Sequence, residues 1–513
     1  MKNLEAKYKL LTEINNLKGL TTDAALEHIG LLIDLSLDLR QTDGLNHAIK
    51  LSKELQKRRL TAGQLATSHY FLGNSWANLR ALLRSGNDLW EWEQKEMENE
   101  ISHLRRALHK DEISELPVER SCQILTNLGN LMDIVGRFIE AIEYWDKALA
   151  KLPSFAMARG NRGIGLAHYA HALYDKGHAL IFLKYSYADL KTALLSELHE
   201  DARKDFDKYR MRIESKYTKE VLDKDFNMNS FSLGASEQES RYRRWCLENG
   251  LFLNPLNDLG PHPIAARDIL TTPSIVVDIG EGPYYQGYFN QMKQEFVSAR
   301  HQYYEGISAE QSHFSDRGVL LYNTLDYPVY SLAVEKVKSA FRTSYSLFDK
   351  IAYFLNHYLD RSIPERDVSF RGLWYRSQRK NKVLRSDFQQ RQNWPLRGLF
   401  WLSKDLFEDK PFFKKSIEPD AKALREIRNH LEHKYLKIHE DAWQGTPKDT
   451  LAFSIHRNEF ETKTFKILRM TRAALMYLSL AIHFEEQRCV KGRSANKSVL
   501  EIPLSLWKYE WKH

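Results

Sequence analysis

Apolar side chains recur every three or four positions along most of this 513-residue chain, and the pattern is most regular in the second half. In residues 328–360 the apolar positions extend over about eight helical turns, which predicts a long helix with a broad buried face. Ser416 is a suitable N-cap for another helix, and Pro419 suits its first turn. Such helices together predict a bundle. The predicted helices span residues 328–360, 395–407, 416–438 and 462–487.

The first half of the chain carries a pattern of paired helices. In residues 122–153, Gly136 separates two amphipathic helices. Gly129 on the first helix lets the two helices approach closely, and Trp145 on the second can fill the groove between them. This unit resembles the tetratricopeptide repeat, which has a period of about 34 residues. Adding that period to Gly129 leads to Gly163, in a further glycine-rich helix.

The resemblance implies about four degenerate repeats between residues 20 and 200. A stack of such repeats buries a continuous core and leaves a concave face for a protein or peptide partner. An ordinary helical bundle with one chance match is the alternative interpretation.

The composition agrees with a folded, mainly helical protein. Hydrophobic residues make up 43% of the chain, and it holds only 24 glycines and 14 prolines, the residues that helix interiors reject. Residues 226–280 differ, because aromatic and turn residues mix there, and residues 271–280 allow one short strand. The basic run at 241–245 is expected to pack within a connector, with nucleic-acid contact as the alternative.

Charge and cysteine content narrow the class of protein. The 75 Lys and Arg residues exceed the 67 Asp and Glu residues by eight, which permits an anionic partner without requiring one. The three cysteines lie far apart, which argues against a disulfide framework and a thiolate zinc site. The apolar stretches are shorter than the about 20 residues of a membrane-spanning helix, and the N-terminal sequence does not read as a signal peptide. We expect a cytoplasmic protein that does not associate with membranes.

The most specific motif lies on the predicted helix 416–438. Arg428 is followed after four residues by His433, and after one more residue by Tyr435, while Asn429 comes directly after the arginine. This spacing resembles the signature of the HEPN superfamily, a group of small helical bundles that includes many metal-independent ribonucleases. The resemblance implies that the bundle is a nuclease domain.

The resemblance covers residues 328–490 and includes the helix order, with Phe-Asp-Lys at 348–350 on the preceding long helix. It implies an all-α fold, in which an N-terminal tetratricopeptide-like helical-repeat solenoid is followed by a C-terminal HEPN-type helical bundle. The expected boundaries are 1–225 for the repeats, 226–327 for a connector of mixed structure, 328–490 for the bundle and 491–513 for a C-terminal extension.

Arginine and histidine suit RNA cleavage for chemical reasons. The 2′-hydroxyl of RNA can attack the adjacent phosphate if one group removes its proton and another protonates the leaving 5′-oxygen. Histidine titrates near neutrality and can do either, and arginine offers a fixed fork of donors to phosphate oxygens. We expect no metal ion or cofactor. The predicted catalytic residues are Arg428, His433 and Asn429, and the predicted supporting residues are Arg425, His430 and Tyr435.

Helix geometry constrains how these residues act. Arg428 and His433 lie about 140° apart around a straight helix, so one helix does not direct both at the same atom. Two chains packed about a two-fold axis can do so, and we predict a homodimer through the C-terminal bundle. Alternatively, Arg425, Asn429 and His433 share one helix face, and Arg425 with His430 repeats the motif spacing. The alternative without a functional role is a solvated helix face whose charges pair with neighbouring glutamates.

Residues 371–398 are rich in cations and aromatic residues, which favours an RNA substrate. Cations can hold the RNA backbone, and aromatic rings can stack on unpaired bases. The alternative is a solvated loop with two aromatic side chains packed into the bundle. The predicted RNA-binding residues are Arg376, Arg379, Lys380, Lys382 and Arg385, and the interleaved aromatic residues are Trp374, Tyr375, Phe388 and Trp394.

Two classes of function fit these features. The first is an endoribonuclease controlled by a repeat array that senses a partner, and the resemblance implies a role in prokaryotic defence against phage or as a toxin. The second is a non-catalytic adaptor, in which the repeats bind a protein and the bundle dimerises or binds a nucleotide. A metal-dependent nuclease is disfavoured, because carboxylates and histidines do not cluster at ligand spacing.

Overall fold

The protein is mainly helical, which confirms the expected all-α fold. Among the residues that the structure describes, helices account for 68% and strands for 3%, and these residues form 18 α-helices and one two-stranded sheet. The computed structural model describes residues 2–109, 115–278, 280–376, 383–389, 391–407, 420–440, 450–492 and 502–512.

The N-terminal region consists of helices that pack against their neighbours in sequence, which is consistent with helical repeats. They are α1 (Lys2–Glu13), α2 (Thr22–Asp38), α3 (Thr42–Leu55), α4 (Ala62–Leu83), α5 (Lys95–Ala107), α6 (Val118–Ile134), α7 (Phe138–Lys151), α8 (Ala156–Ala172), α9 (Lys176–Ala193), α10 (Glu200–Glu214) and α11 (Lys219–Asp223).

The α6–α7 pair shows why the glycine and tryptophan positions predicted a helical hairpin. Gly136 adopts a φ of +86° in the turn between the helices, a conformation that favours glycine. A β-carbon at Gly129 would lie 2.6 Å from Nε1 of Trp145, so only glycine lets the two helices come this close. Trp145 is 2% exposed and donates to Oδ1 of Asn130 at 3.0 Å. The hairpin predicted for this segment is therefore confirmed.

The C-terminal region is a helical bundle with a small sheet at one side. Its elements are α12 (Glu237–Glu248), α13 (Tyr284–Ile307), α14 (Leu332–Tyr358), α15 (Ser386–Gln389), α16 (Trp394–Phe407), α17 (Ala421–His433), β1 (Tyr435–His439), β2 (Ala452–His456) and α18 (Arg457–Gly492).

Helix α18 lies at the centre of the bundle. Every residue from 473 to 482 is buried, and the helix packs against α13, α14 and α16. Thr471 ties it to α14 by donating to the carbonyl oxygen of Ser344 at 2.9 Å. The long helices predicted at 328–360, 395–407 and 462–487 are thus confirmed as α14, α16 and α18. None of the described helices has the length and apolarity that crossing a lipid bilayer requires.

The helix predicted for 416–438 is shorter than expected. It ends at His433, because Lys434 adopts extended backbone angles, and the next five residues form β1 rather than two further helical turns. β1 pairs in parallel with β2, and Val329 donates to the carbonyl oxygen of Ile438 at 2.7 Å. Residues 435–439 therefore form a strand, although their sequence pattern predicts helix, because they pair with segments distant in the sequence. Ser416 and Pro419 lie outside the described residues.

Residues 226–327 hold more helix and less strand than the sequence suggested. The strand expected within 271–280 does not form in residues 271–278, where side chains instead of a neighbouring strand satisfy backbone groups: Ser479 donates to the carbonyl oxygen of Thr271 at 2.6 Å. α13 packs along α14 and α18. In the basic run 241–245, the aromatic Trp245 packs on Tyr303 and Tyr304 of α13, as expected for a packed connector.

A buried polar junction joins the N-terminal helices to α16 of the bundle. Asp405 is 1% exposed and accepts two hydrogen bonds of 2.8 Å from Arg105 of α5, and another from Arg137 beside α7. A β-carbon at Gly136 would overlap the carbonyl oxygen of Trp394, so the α6–α7 turn lies directly on the start of α16. The two regions therefore share one continuous buried core.

Candidate active site

Helix α17 is fixed at its first turn by two lysines of α18. Lys463 and Lys466 donate to the two carboxylate oxygens of Asp420, the N-cap residue, at 3.0 and 2.8 Å. Burial alone would raise the pKa of Asp420, but the two lysines lower it to about 2. The apolar face of α17 is buried against the bundle, so its polar face is left at the surface. The buried residues are Ala421, Leu424, Ile427 and Leu431.

Arg428 points from α17 towards α14. Its guanidinium carbon lies 5.6 Å from the ring centre of Tyr345, a cation–π arrangement, and the side chain is half-buried. Within the described part of the chain, this guanidinium forms no hydrogen bond or ion pair. Arg428 therefore lies against α14 with guanidinium donors that no described residue uses.

Asp349, one helical turn after Tyr345, completes this part of the site. It accepts a hydrogen bond from the backbone N–H of Phe370 at 3.1 Å. Burial raises the pKa of Asp349, while the Phe370 N–H and the charge of Arg428 oppose that rise. Burial likewise raises the pKa of Tyr345. Tyr345 and Asp349 were not among the predicted site residues. A carboxylate among the apolar positions of an amphipathic helix was a signal that could have identified Asp349.

His433 is the last residue of α17 and is exposed. Among the described residues its imidazole has no hydrogen-bond partner, and it does not contact Arg428. The structure thus brings Arg428 together with Tyr345 and Asp349, but it leaves His433 apart at the helix end. This separation agrees with the angle of about 140° between the two positions.

The remaining predicted residues of α17 differ in exposure. His430 is packed, because Nδ1 donates to the carbonyl oxygen of Glu426 at 2.8 Å and the ring stacks on Phe453 of β2 with 5.3 Å between ring centres. Arg425 is exposed and Asn429 is half-buried, on the same side as His433. The packing of His430 favours the register of Arg428 and His433 over the nested match.

Tyr435 lies on β1 instead of on the helix. Its hydroxyl is 2.5 Å from the hydroxyl of Tyr330, and the ammonium of Lys437 is 5.3 Å from its ring centre. Lys437 in turn donates to Asp326 at 2.6 Å. Burial, followed by the bond with Tyr435, raises the pKa of Tyr330 to about 12. Tyr435 therefore belongs to an ordered cluster at the edge of the sheet, next to His433.

Of the predicted RNA-binding residues, Arg376 and Arg385 are described, whereas Arg379, Lys380 and Lys382 lie outside the described residues. Backbone hydrogen bonds of 3.0 Å join Arg376 to Val383 and Arg385 to Trp374. Arg376 is exposed and donates to Ser386. Burial, together with the nearby positive charges of Arg361 and Arg376, lowers the pKa of Arg385.

The aromatic residues of this segment are not available to bases. Trp374, Tyr375 and Phe388 are at most 5% exposed, and the indole N–H of Trp394 donates to the carbonyl oxygen of Asp133 at 2.6 Å. The structure packs four of these rings into the protein, where the alternative interpretation expected two. Among the described residues, no three His, Cys, Asp or Glu side chains are grouped so that they could hold a metal ion.

The comparison with protein families supports one part of the resemblance. Residues 276–485 match the sequence model of a family described as LA2681-like HEPN. The matched range begins ahead of α13 and includes α14, α16, α17 and most of α18, so it contains the candidate site. HEPN domains are commonly ribonucleases, which supports a nuclease at the level of the superfamily. No curated protein matches the chain.

Proposed function

We propose that the bundle is a metal-independent endoribonuclease controlled by the N-terminal helices. The observation that carries this proposal is the character of α17 within a HEPN-like region. This helix presents a half-buried Arg428 and an exposed His433, and neither is used by the described residues in a hydrogen bond or ion pair. At the junction with α16, by contrast, the buried Asp405 is paired with two arginines.

The reaction assigns a separate role to each residue. The 2′-oxygen forms a bond to phosphorus while the bond from phosphorus to the 5′-oxygen breaks. His433 exchanges a proton with one of these oxygens, and water or a second histidine serves the other. Arg428 binds the non-bridging phosphate oxygens, with Asn429 as a further donor. The products are a 2′,3′-cyclic phosphate and a 5′-hydroxyl.

A homodimer would bring Arg428 and His433 to the same phosphate. The two side chains leave one helix in different directions, so a second α17 related by two-fold symmetry can supply the missing partner. The polar face of α17 is at the surface, as such pairing requires. If one chain acts alone, the stripe formed by Arg425, Asn429 and His433 is the better candidate.

The approach of RNA and the control of the nuclease involve other surfaces. Arg376 and Arg385, with Arg379, Lys380 and Lys382, form a basic segment for the RNA backbone. The N-terminal helices are proposed to be tetratricopeptide repeats that bind a protein or peptide partner and regulate the bundle. A cytoplasmic role in anti-phage defence, or as a toxin, would suit a nuclease that has to be held inactive.

The proposal is tested by incubating the purified full-length protein with single-stranded RNA in excess EDTA. We expect cleavage, with 2′,3′-cyclic phosphate ends on the upstream fragments. A single 2′-deoxy substitution at a cleaved position should block that cut. Strict dependence on added Mg²⁺ or Mn²⁺ would contradict the proposal, and intact RNA under all conditions would favour a non-catalytic adaptor.

A further inference from the structure

Two tyrosine side chains, one close to His433 in the sequence and the other hydrogen-bonded to the first, are exposed to solvent. Tyr330 is 43% exposed and Tyr435 is 37% exposed, and Tyr327 is 62% exposed nearby in sequence. By contrast, Trp374, Tyr375 and Phe388, which could have stacked on bases, are buried. If unpaired bases are to stack on this protein near the site, the exposed tyrosines are the side chains that can receive them.

The distance to the candidate site is short. Tyr435 is two residues beyond His433, and an extended chain rises about 3.3 Å per residue. The direct bond between Tyr330 and Tyr435 keeps the Tyr330 side chain beside that of Tyr435.

The two tyrosines are also held in fixed positions. Their hydroxyls are 2.5 Å apart, and the ammonium of Lys437 covers one face of the Tyr435 ring at 5.3 Å. Asp326 anchors that lysine, which holds the ammonium over the Tyr435 ring. A rigid ring loses little side-chain entropy when a ligand binds, which favours a recognition surface over a mobile one.

We infer that Tyr330 and Tyr435 form a stacking platform for an unpaired base beside the scissile phosphate. This inference rests on the proposed nuclease function and specifies its substrate as single-stranded RNA. Bases in a duplex stack on one another and cannot present a free face, whereas unpaired bases stack on aromatic side chains. The positive charges of Arg425 and Arg428 on the adjoining helix suit the backbone of the same strand.

The test uses the His433→Ala full-length protein, so that RNA is bound without being cut. The probe is a short single-stranded RNA in which 2-aminopurine replaces one base, because its fluorescence falls when it stacks on an aromatic ring. We expect quenching with this protein. The double substitution Tyr330→Leu and Tyr435→Leu should abolish the quenching and weaken binding about tenfold or more. The corresponding Phe variants should retain both.

A matched control is Tyr284→Leu on α13, since Tyr284 is 42% exposed and is remote in sequence from α17. It should leave quenching and affinity unchanged. In the active protein, which retains His433, the leucine pair should raise the KM for single-stranded RNA more than it lowers kcat. Cleavage of a fully paired duplex should be poor in every active variant.

The possible failures are distinguishable. If the unmodified protein cuts single-stranded RNA while the leucine pair alters neither quenching nor KM, the platform is wrong and the nuclease stands. If the unmodified protein cuts no RNA, the proposed function fails, and the platform fails with it. If sedimentation shows that the leucine pair converts a dimer to a monomer, the tyrosines belong to an interface between copies, which overturns the inference.

Discussion

The junction at α16 and the polar face of α17 use similar charged residues in opposite ways. At the junction, Asp405 is enclosed and meets two arginines, and the neighbouring Lys404 donates to Glu98 and Glu93 at 2.6 and 2.8 Å. On α17, the guanidinium of Arg428 and the imidazole of His433 have no hydrogen-bond partner among the described residues. The first arrangement pairs Asp405 and Lys404 with opposite charges, whereas the second leaves donors available beside solvent.

The difference indicates which charges serve the fold and which serve a ligand. A buried charge destabilises the protein unless it is paired, so the junction has to be complete in itself. A binding site has to keep donors free for its substrate, and it tolerates this because the groups are only partly buried. Burial together with pairing is therefore a better guide to role than residue type.

The largest expected effect on stability is at the junction. Asp405→Ala leaves Arg105 and Arg137 buried without their shared carboxylate, and it should lower the free energy of unfolding by about 3–5 kcal/mol. Urea denaturation followed by circular dichroism measures this. The exposed ion pair of Glu237 and Arg241 on α12 provides the control, because Glu237→Ala should leave the unfolding midpoint unchanged. A similar small effect at both positions would remove the contrast between the two regions.

Co-expression of two inactive variants examines whether the α17 site is completed by a second chain. If Arg428 and His433 come from different subunits, mixing Arg428→Ala with His433→Ala should restore about one quarter of the wild-type activity. Half of the random dimers are then mixed, and each of these holds one intact site. The readout is the rate of RNA cleavage by the whole pool of co-expressed dimers, and tagged subunits confirm that mixed dimers form. Mixed dimers without activity would place both residues within one chain.

A smaller effect is expected from the basic segment. Neutralising Arg379, Lys380 and Lys382 together should weaken RNA binding and reduce the slope of log affinity against log salt by about two, because fewer counterions are released. Fluorescence anisotropy at several salt concentrations measures the slope. The matched control neutralises three lysines of the N-terminal region, Lys204, Lys208 and Lys216, and should leave it unchanged. Equal slopes in all variants would show that these three residues do not contact the RNA backbone.

The smallest expected effect is a pH dependence in the N-terminal helices. His103 of α5 lies with its Nδ1 atom 3.1 Å from Nδ1 of His69, and burial, His69, Arg106 and Lys53 lower the pKa of His103 to about 3. Because the folded-state pKa is below the unfolded value of about 6.5, the unfolded state binds the proton more readily. Stability should be complete above about pH 6.5 and should fall as the pH drops towards 3.

This pH dependence is measured as the urea midpoint at about pH 7.5 and about pH 5. His103→Gln should show a smaller loss between the two values than the unmodified protein. His199→Gln, at an exposed position, should behave as the unmodified protein does. An identical pH response in all three proteins would show that the histidine pair does not contribute.

The helical parts of the fold could be predicted because their pattern is local. The apolar spacing in α14, α16 and α18 repeats over many turns, and Gly136 with Trp145 marks a hairpin within one short segment. α17 was extended too far because residues 435–439 pair with residues 452–456, a contact that no local pattern contains. α13 was missed although Phe289, Met292, Phe296, Ala299 and Tyr303 are buried at helical spacing.

The candidate site could be predicted only in part. The spacing of Arg428 and His433 is visible in the sequence, but the position of Tyr345 and Asp349 beside Arg428 depends on how α14 packs against α17. The fate of the aromatic residues in 371–398 could not be predicted either, because composition does not distinguish a ring in the core from one at the surface. Tertiary packing buries the rings of Trp374 and Phe388.

The central claim is that α17 carries a ribonuclease site built on Arg428 and His433. The most direct measurement is the single-turnover rate of RNA cleavage in EDTA for Arg428→Ala and His433→Ala, with the thermal midpoint of each variant. We predict a loss of about 10²–10⁴-fold in rate with little change in midpoint, while Arg342→Ala on α14 and His456→Ala on β2 retain most of the activity. Cleavage at the wild-type rate by folded Arg428→Ala and His433→Ala proteins would contradict the account.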